Sequence, residues 1–250
     1  EAVKTACADF LKIAEGEKAA RVRFILDGVA GSDTDLFEAL VRAVGIAAWR
    51  FKRYRADKTD AFENMSIEFL VAADRRAELE PVMARALLLA DSVNIARGLV
   101  NEPGNVLYPA VLADRAAAVA AEVKLECEIL DRAALAAGEY NGILAVGQGS
   151  RYEPRMAILR YRPEGIASPR HVAIVGKGIT FDTGGISLKP GKDMHEMKTD
   201  MSGAAAVIGA MRMVGLARPD LAVTGIIVSA ENNIGPDAQR PGDIFRHKSG

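Results

Sequence analysis

Apolar residues first recur at helical spacing, with Val3, Ala6, Phe10 and Leu11 on one face, which predicts a helix over residues 3–13. Residues 21–26 then alternate as a strand does, and residues 67–72 make a second short strand. Between them, residues 33–49 read as an amphipathic helix capped by Asp33 or Thr34, with Leu36, Leu40, Val44 and Ala47 on one face. Roughly the first 75 residues therefore alternate strands with helices, as an α/β piece does.

The pattern changes after residue 78. A long stretch rich in Ala and Leu predicts one extended helix over about residues 80–99, joining two domains, and Asn101-Glu102-Pro103-Gly104-Asn105 breaks it. Tyr108-Pro109 opens another helix over residues 110–123. Beyond it the spacing predicts a strand over 125–130, a short helix over 132–137, an apolar turn or strand over 142–146 and a strand over 155–161. Residues 172–175 are continuously apolar, as a strand buried inside an α/β sheet would be. Residues 203–214 form an Ala- and Gly-dense helix and residues 221–230 a buried strand. This alternation predicts a sheet covered by helices.

The 250 residues are half hydrophobic, enough for a sizeable core or for one domain plus part of another. A formal net charge of −1 gives no global field to attract nucleic acid or a membrane. No apolar run approaches the length of a membrane span, and the first residues carry no mark of a secretory signal, so a cytoplasmic protein is expected. Cys7 and Cys127 lack any C-x-x-C spacing and read as two reduced thiols.

Chemistry concentrates at residues 175–203. Here Lys177, Asp182, Lys189 and Asp200 fall in a Gly-rich region between a strand and a helix. Lys177 is placed where the strand ends, flanked by Gly176 and Gly178, and ligands in α/β sheets gather at such ends. Gly184-Gly185 permits a tight reversal behind Asp182, and residues 186–188 read as a short strand ending at Lys189. Asp200 either caps the following helix or points into a site. Two divalent metals here would outweigh the two aspartates. A lysine ligates a metal only as the neutral amine, and nearby cations favour that loss of a proton. Lys177 takes that role; Lys189 stays charged and stabilises an oxyanion. The excess positive charge calls for one or two further carboxylates. Against this stands a plainer reading, with the lysines as solvated charges and Asp200 as a cap. A phosphate-binding loop is excluded, because neither G-x-x-x-x-G-K-[ST] nor G-x-G-x-x-G is present.

The run Lys-x4-Asp-x6-Lys-x10-Asp from Lys177 to Asp200 closely resembles that of the leucyl aminopeptidases, a family of cytosolic two-metal exopeptidases. The resemblance extends to Asn94-Ile95-Ala96-Arg97, Leu99-Val100-Asn101-Glu102-Pro103, Gly142-Ile143-Leu144-Ala145-Val146-Gly147-Gln148-Gly149-Ser150 and Arg240-Pro241-Gly242-Asp243, and so covers about residues 80–250. It implies an α/β fold with a mixed sheet sandwiched by helices in the catalytic domain, preceded by part of a smaller α/β N-terminal domain. Residues 1–78 would belong to the smaller domain, and residues 79–250 would form the linker helix and the first part of the catalytic domain. It also implies that Lys177, Asp182 and Asp200 are metal ligands, that Lys189 is the catalytic, substrate-polarising lysine, and that Met197 lines the pocket for the substrate's first side chain; a core methionine is the plain alternative. Two divalent ions are expected, Mn2+ or Zn2+, with Mg2+ or Co2+ as alternatives. Water made acidic by the two metals would attack the first peptide bond of a peptide substrate, with a leucine-type preference. A homo-hexamer follows from the family alone.

The family's remaining ligands and an arginine lie in a segment like Asn-Thr-Asp-Ala-Glu-Gly-Arg, expected shortly beyond Gly250. The chain is thus expected to be truncated at both ends, with Glu1 an internal start, and to be inactive by itself. Glu231, Asp237 and Asp243 were the local candidates for the missing charge, with Glu231 favoured for a supporting or structural role. His171, His195 and His247 fit no H-E-x-x-H pattern and read as surface or loop residues. Two alternatives remain: an inactive scaffold, or a DNA-binding accessory role known for some bacterial members of the family. The second draws only on the basic, aromatic stretch Arg50-Phe51-Lys52-Arg53-Tyr54-Arg55.

Overall fold

The computed structural model describes residues 2–26, 33–56, 62–167 and 170–248; Glu1 and Gly250, on which the expectation of truncation turned, lie outside them. The chain divides into two compact units, Glu1–Asn94 and Ile95–Gly250.

The first unit contains α1 (Ala2–Gly16), β1 (Arg21–Ile25), α2 (Thr34–Ala47), β2 (Ser66–Leu70) and most of α3 (Arg76–Asn101). β1 and β2 pair in parallel, Arg21 opposite Ser66 through Ile25 opposite Leu70. Asp33 is the cap of α2, its carboxylate accepting from the N–H groups of Asp35 and Leu36. The buried positions of α2 are Phe37, Val41, Ala43 and Val44, so the apolar stripe is wider than the predicted face. It serves two clusters: Phe37 and Val41 pack with Leu26, Leu79 and Ala86, while Ala43 and Val44 pack with Cys7 and Leu11 of α1. α3 begins before the predicted start and holds Pro81 inside it, where the ring forfeits one backbone hydrogen bond.

The second unit contains α4 (Pro109–Glu122), β3 (Glu126–Leu130), α5 (Arg132–Ala137), α6 (Asn141–Gly147), β4 (Arg155–Tyr161), β5 (Arg170–Asp182), α7 (Ser202–Ala217) and β6 (Leu221–Asn232). The strands lie in the order β3-β4-β6-β5. β4 is antiparallel to β3 and β6, and β5 is parallel to β6, so the sheet is mixed, as expected. Leu112, Ala116 and Ala120 of α4 and Ala204, Ala205, Ile208 and Met211 of α7 bury one face with Leu159, Val223 and Ile227. The small residues let the helices lie close to the strands.

Four expectations are corrected. Residues 142–146 belong to helix α6, neither a turn nor a strand; an apolar run this short has no periodicity to decide between them. β5 runs well beyond residue 175, so Lys177 stands within a strand and not where it ends. Gly176 and Gly178 are there for packing: a Cβ on Gly176 would lie 2.5 Å from Gly203 O and 2.7 Å from the Ala204 backbone at the start of α7. β5 is also not buried among strands; among the described residues it pairs with β6 alone, and Val172 and Val175 are 46% and 66% exposed. Residues 186–188 form a turn with Ile186 and Leu188 exposed, because the double glycine reverses the chain before any pairing partner is reached. Both cysteines are free. No helix among the described residues is long and apolar enough to cross a membrane.

Candidate metal centre

The parallel strands β5 and β6 finish side by side, with a register shift between Ile179 and Asp182 that sets Asp182 opposite Asn232. Gly184 and Gly185 follow at φ of +89° and +68°, conformations that side chains resist. Polar groups hold this turn at every residue. Asp182 Oδ1 accepts the Gly184 N–H at 2.9 Å, and Thr183 Oγ1 accepts the Gly185 N–H at 3.1 Å. Thr183 donates its own N–H and hydroxyl to Asn232 O, at 2.9 and 3.0 Å. The Lys189 N–H closes the loop on Thr183 O at 2.9 Å.

That closure returns Lys189 to the strand end. Its Nζ donates to Asp182 Oδ2 at 2.6 Å and lies 3.0 Å from Met197 Sδ. Met197 sits on a 3-10 turn, Met194–Thr199, which leads directly to Asp200. Asp200 leaves the cap of α7 to Met201, which makes no side-chain cap bond, and instead sets Oδ1 2.8 Å from Lys177 Nζ on β5. Asp200 therefore pairs with Lys177 and does not cap the helix. The result is two ion pairs along β5, Lys177 with Asp200 and Asp182 with Lys189, with Met197 touching Lys189 and its carbonyl accepting the Asp200 N–H at 3.3 Å. Lys177, Asp182 and Asn232 also border a cavity of about 510 Å³, whose remaining walls are mostly apolar residues of α6, β5 and β6.

The two ion pairs differ in wetness. The Lys189 and Asp182 side chains are 36% and 16% exposed, those of Lys177 and Asp200 61% and 22%. Burial pushes the Asp182 carboxyl up, but hydrogen bonds from Lys189, Gly184 and Asn232 and the charge of Lys189 outweigh it and hold the group below its ordinary value. Asp200 Oδ2 is buried with no hydrogen-bond partner among the described residues. An orphaned buried acceptor costs about 1–3 kcal/mol. A cation would satisfy it, and carboxylate oxygens with an amine nitrogen suit Mn2+, Zn2+, Mg2+ or Co2+. The residues therefore fit part of a divalent-ion site. Among the described residues no group of three or more His, Cys, Asp and Glu gathers that could hold a metal, so an ion here would need further carboxylates.

The other candidates bond to different partners. Glu231 is buried, and its Oε2 accepts from the Ser150 hydroxyl and, at 3.4 Å, from Asn233 Nδ2. Asp243 accepts from the Arg240 N–H and side chain, which close their own turn. His195 is exposed and faces Glu196; His171 bonds Thr224 Oγ1 at the surface. Two residues were missed. Asn232 Nδ2 donates to Asp182 Oδ1 at 2.7 Å, and Lys198 Nζ donates to Asn101 O, the last residue of α3, at 3.1 Å, a favourable place for a cation. Had the parallel pairing of β5 with β6 been assumed, the polar residue closing the second strand would have stood out.

Comparison with known proteins bears on this geometry. Residues 94–250 match the model of the cytosol aminopeptidase family, catalytic domain. A probable cytosol aminopeptidase of Solibacter usitatus is 40% identical over 230 residues, covering 92% of this chain and 47% of that protein. The bottromycin maturation enzyme BotP in complex with Mn superposes with a TM-score of 0.85 at 33% identity, covering 99% of this chain and 51% of that one. A tomato leucine aminopeptidase mutant superposes with a TM-score of 0.87 at 26% identity, over 99% of this chain and 48% of that one. The chain spans about half the length of the curated relatives it matches.

Proposed function

This chain belongs to the cytosol aminopeptidase family, and from that premise we propose that it forms the main part of a metal-dependent aminopeptidase that releases N-terminal residues, leucine-type by preference, from peptides in the cytoplasm. The observation that carries this is the orphaned, buried Oδ2 of Asp200, whose other oxygen pairs with Lys177 on the strand that also carries the Asp182–Lys189 pair. Lys177, Asp182 and Asp200 would hold metal, with further carboxylates from the rest of the protein. Two ions complete the reading, and manganese is favoured because BotP, a structural neighbour, is complexed with Mn. Bound metal supplies an acidified water and a polarised carbonyl.

The protein's own groups do the rest. Lys189 Nζ donates to the oxygen that gains charge at the scissile carbonyl. Met197, in contact with Lys189, borders the place of the substrate's first side chain. The Gly184-Gly185 turn fixes Lys189 against Asp182 before substrate arrives, so little reorganisation is left for the reaction. The hexamer belongs to the same reading and is tested by sedimentation. The basic stretch at residues 50–55 lends the DNA-binding alternative little: Arg50 pairs with Glu15 at 3.0 Å and lies over the Phe62 ring.

The test is Mn2+ titration of the intact protein together with hydrolysis of a leucyl peptide. Wild type should take up the ion and cleave from the N-terminus only. Asp182→Ala should weaken Mn2+ binding by about tenfold or more. A variant that retains full Mn2+ occupancy and normal turnover would overturn the assignment, and wild type that holds metal without cleaving would leave an inactive scaffold.

A further inference from the structure

We infer that Asn232 is a positioning residue, holding the Asp182 carboxylate in the one orientation that serves both Lys189 and a cation; this rests on the metal-centre reading above. A carboxylate on a strand end can rotate about its last bond, and its two oxygens are interchangeable until something distinguishes them. Here something does. Oδ1 takes the Gly184 N–H at 2.9 Å and Asn232 Nδ2 at 2.7 Å, while Oδ2 takes Lys189 Nζ at 2.6 Å. The Gly184 bond alone is a local one, since it comes from a residue in the same turn. Asn232 reaches Asp182 from the neighbouring strand and therefore ties the carboxylate to the sheet.

The choice of an amide has a physical reason. A carboxylate accepts only, so Asn232 must present its NH2, and it does so without adding charge. A lysine or arginine there would cancel the negative charge that a cation needs, and an aspartate would repel. Asn232 also carries the turn with its backbone: its carbonyl accepts both the N–H and the hydroxyl of Thr183. A Cβ on Gly185 would come within 2.8 Å of Asn232 Oδ1, so that residue is fitted against the same side chain. One residue of β6 thus sets three of the four residues 182–185. Groups that orient a ligating carboxylate from behind typically change metal affinity about 10–100-fold when removed.

The test uses the intact protein with Asn232→Ala and Asn232→Asp. Asn233→Ala serves as the control, because that side chain bonds Glu231 and not Asp182. Mn2+ affinity should fall by about tenfold or more in Asn232→Ala, fall less in Asn232→Asp, whose added negative charge favours the cation, and stay unchanged in the control. In metal-free protein, hydrogen exchange at the Gly184 amide should quicken in Asn232→Ala while the melting temperature holds. Wild-type affinity in Asn232→Ala, or an equal loss in the control, would overturn the inference. Should wild type bind no Mn2+, the metal-centre reading itself fails; unchanged exchange at Gly184 refutes the positioning by Asn232 in either case.

Discussion

Both units set charged pairs beside parallel strands, yet the pairs do different things. In the first unit Arg21 and Arg23 reach across β1 and β2 to Glu68 at 3.2 and 2.7 Å, with the arginines half exposed to solvent. In the second, Asp182 faces Lys189 in a turn walled by glycine, threonine and asparagine, and Asp200 faces Lys177 with its other oxygen buried. The distances do not distinguish them; the surroundings of the second oxygen do. An exposed carboxylate has water for whatever its partner leaves free, and such pairs contribute about 0–1 kcal/mol. Asp200 Oδ2 is buried without a hydrogen-bond partner among the described residues, which is unfavourable for a structural ion pair and suitable for a ligand.

The largest effect should come from Lys189→Ala in the intact protein. If the second-unit pairs serve chemistry, turnover falls by about 100- to 1,000-fold, as on loss of one oxyanion donor, while metal content stays near wild type. Steady-state kinetics with metal analysis checks this. Normal turnover would reduce Lys189–Asp182 to the same standing as Arg23–Glu68 and erase the contrast.

A second contrast concerns glycine. Gly176 lies against the backbone of Gly203 and Ala204, which cannot swing aside as a long side chain can. Gly176→Ala should cost about 1–3 kcal/mol of stability, as overpacking does. Gly16, the last residue of α1, has nothing within 4 Å of an added Cβ and is not at positive φ. Gly16→Ala should stabilise by about 0.4–1 kcal/mol, through a less flexible unfolded chain. Urea unfolding of both variants measures the pair; equal shifts would mean that the two units are packed alike around their glycines.

These same features explain what was legible beforehand. α5 could be bounded because Asp131 caps it locally, its carboxylate accepting from the Ala134 N–H. The types of residue at 177, 182, 189 and 200 could be picked out because their spacing is local too. What failed was non-local. Gly176 and Gly178 read as flanks of a lysine at a strand end, whereas the smallness of Gly176 answers to α7 and that of Gly178 to Val228 O on β6 at 2.7 Å, both later in the chain. That Asp200 pairs with Lys177 and does not cap a helix depended on a lysine reaching it from β5. Asn232 stands fifty residues from Asp182 and becomes visible only once β5 is paired with β6.

The smallest effect should come from Glu68→Gln, and its pH dependence sharpens the comparison. The hydrogen bond from Arg23 is the chief cause that holds the Glu68 carboxyl below its ordinary value, with the charges of Arg23 and Arg21 adding to it. A depressed carboxyl stabilises the fold above its unfolded pKa, near 4.3, and that contribution is lost as pH falls through the lower folded value. The difference in melting temperature between wild type and Glu68→Gln should therefore be present at neutral pH and close in acid. It should also shrink in high salt, since exposed charges are screened within about 3 Å at 1 M. A difference that survived both acid and salt would mean that Glu68 contributes through packing, not charge, and the first unit's pairs would have to be reconsidered as more than surface contacts.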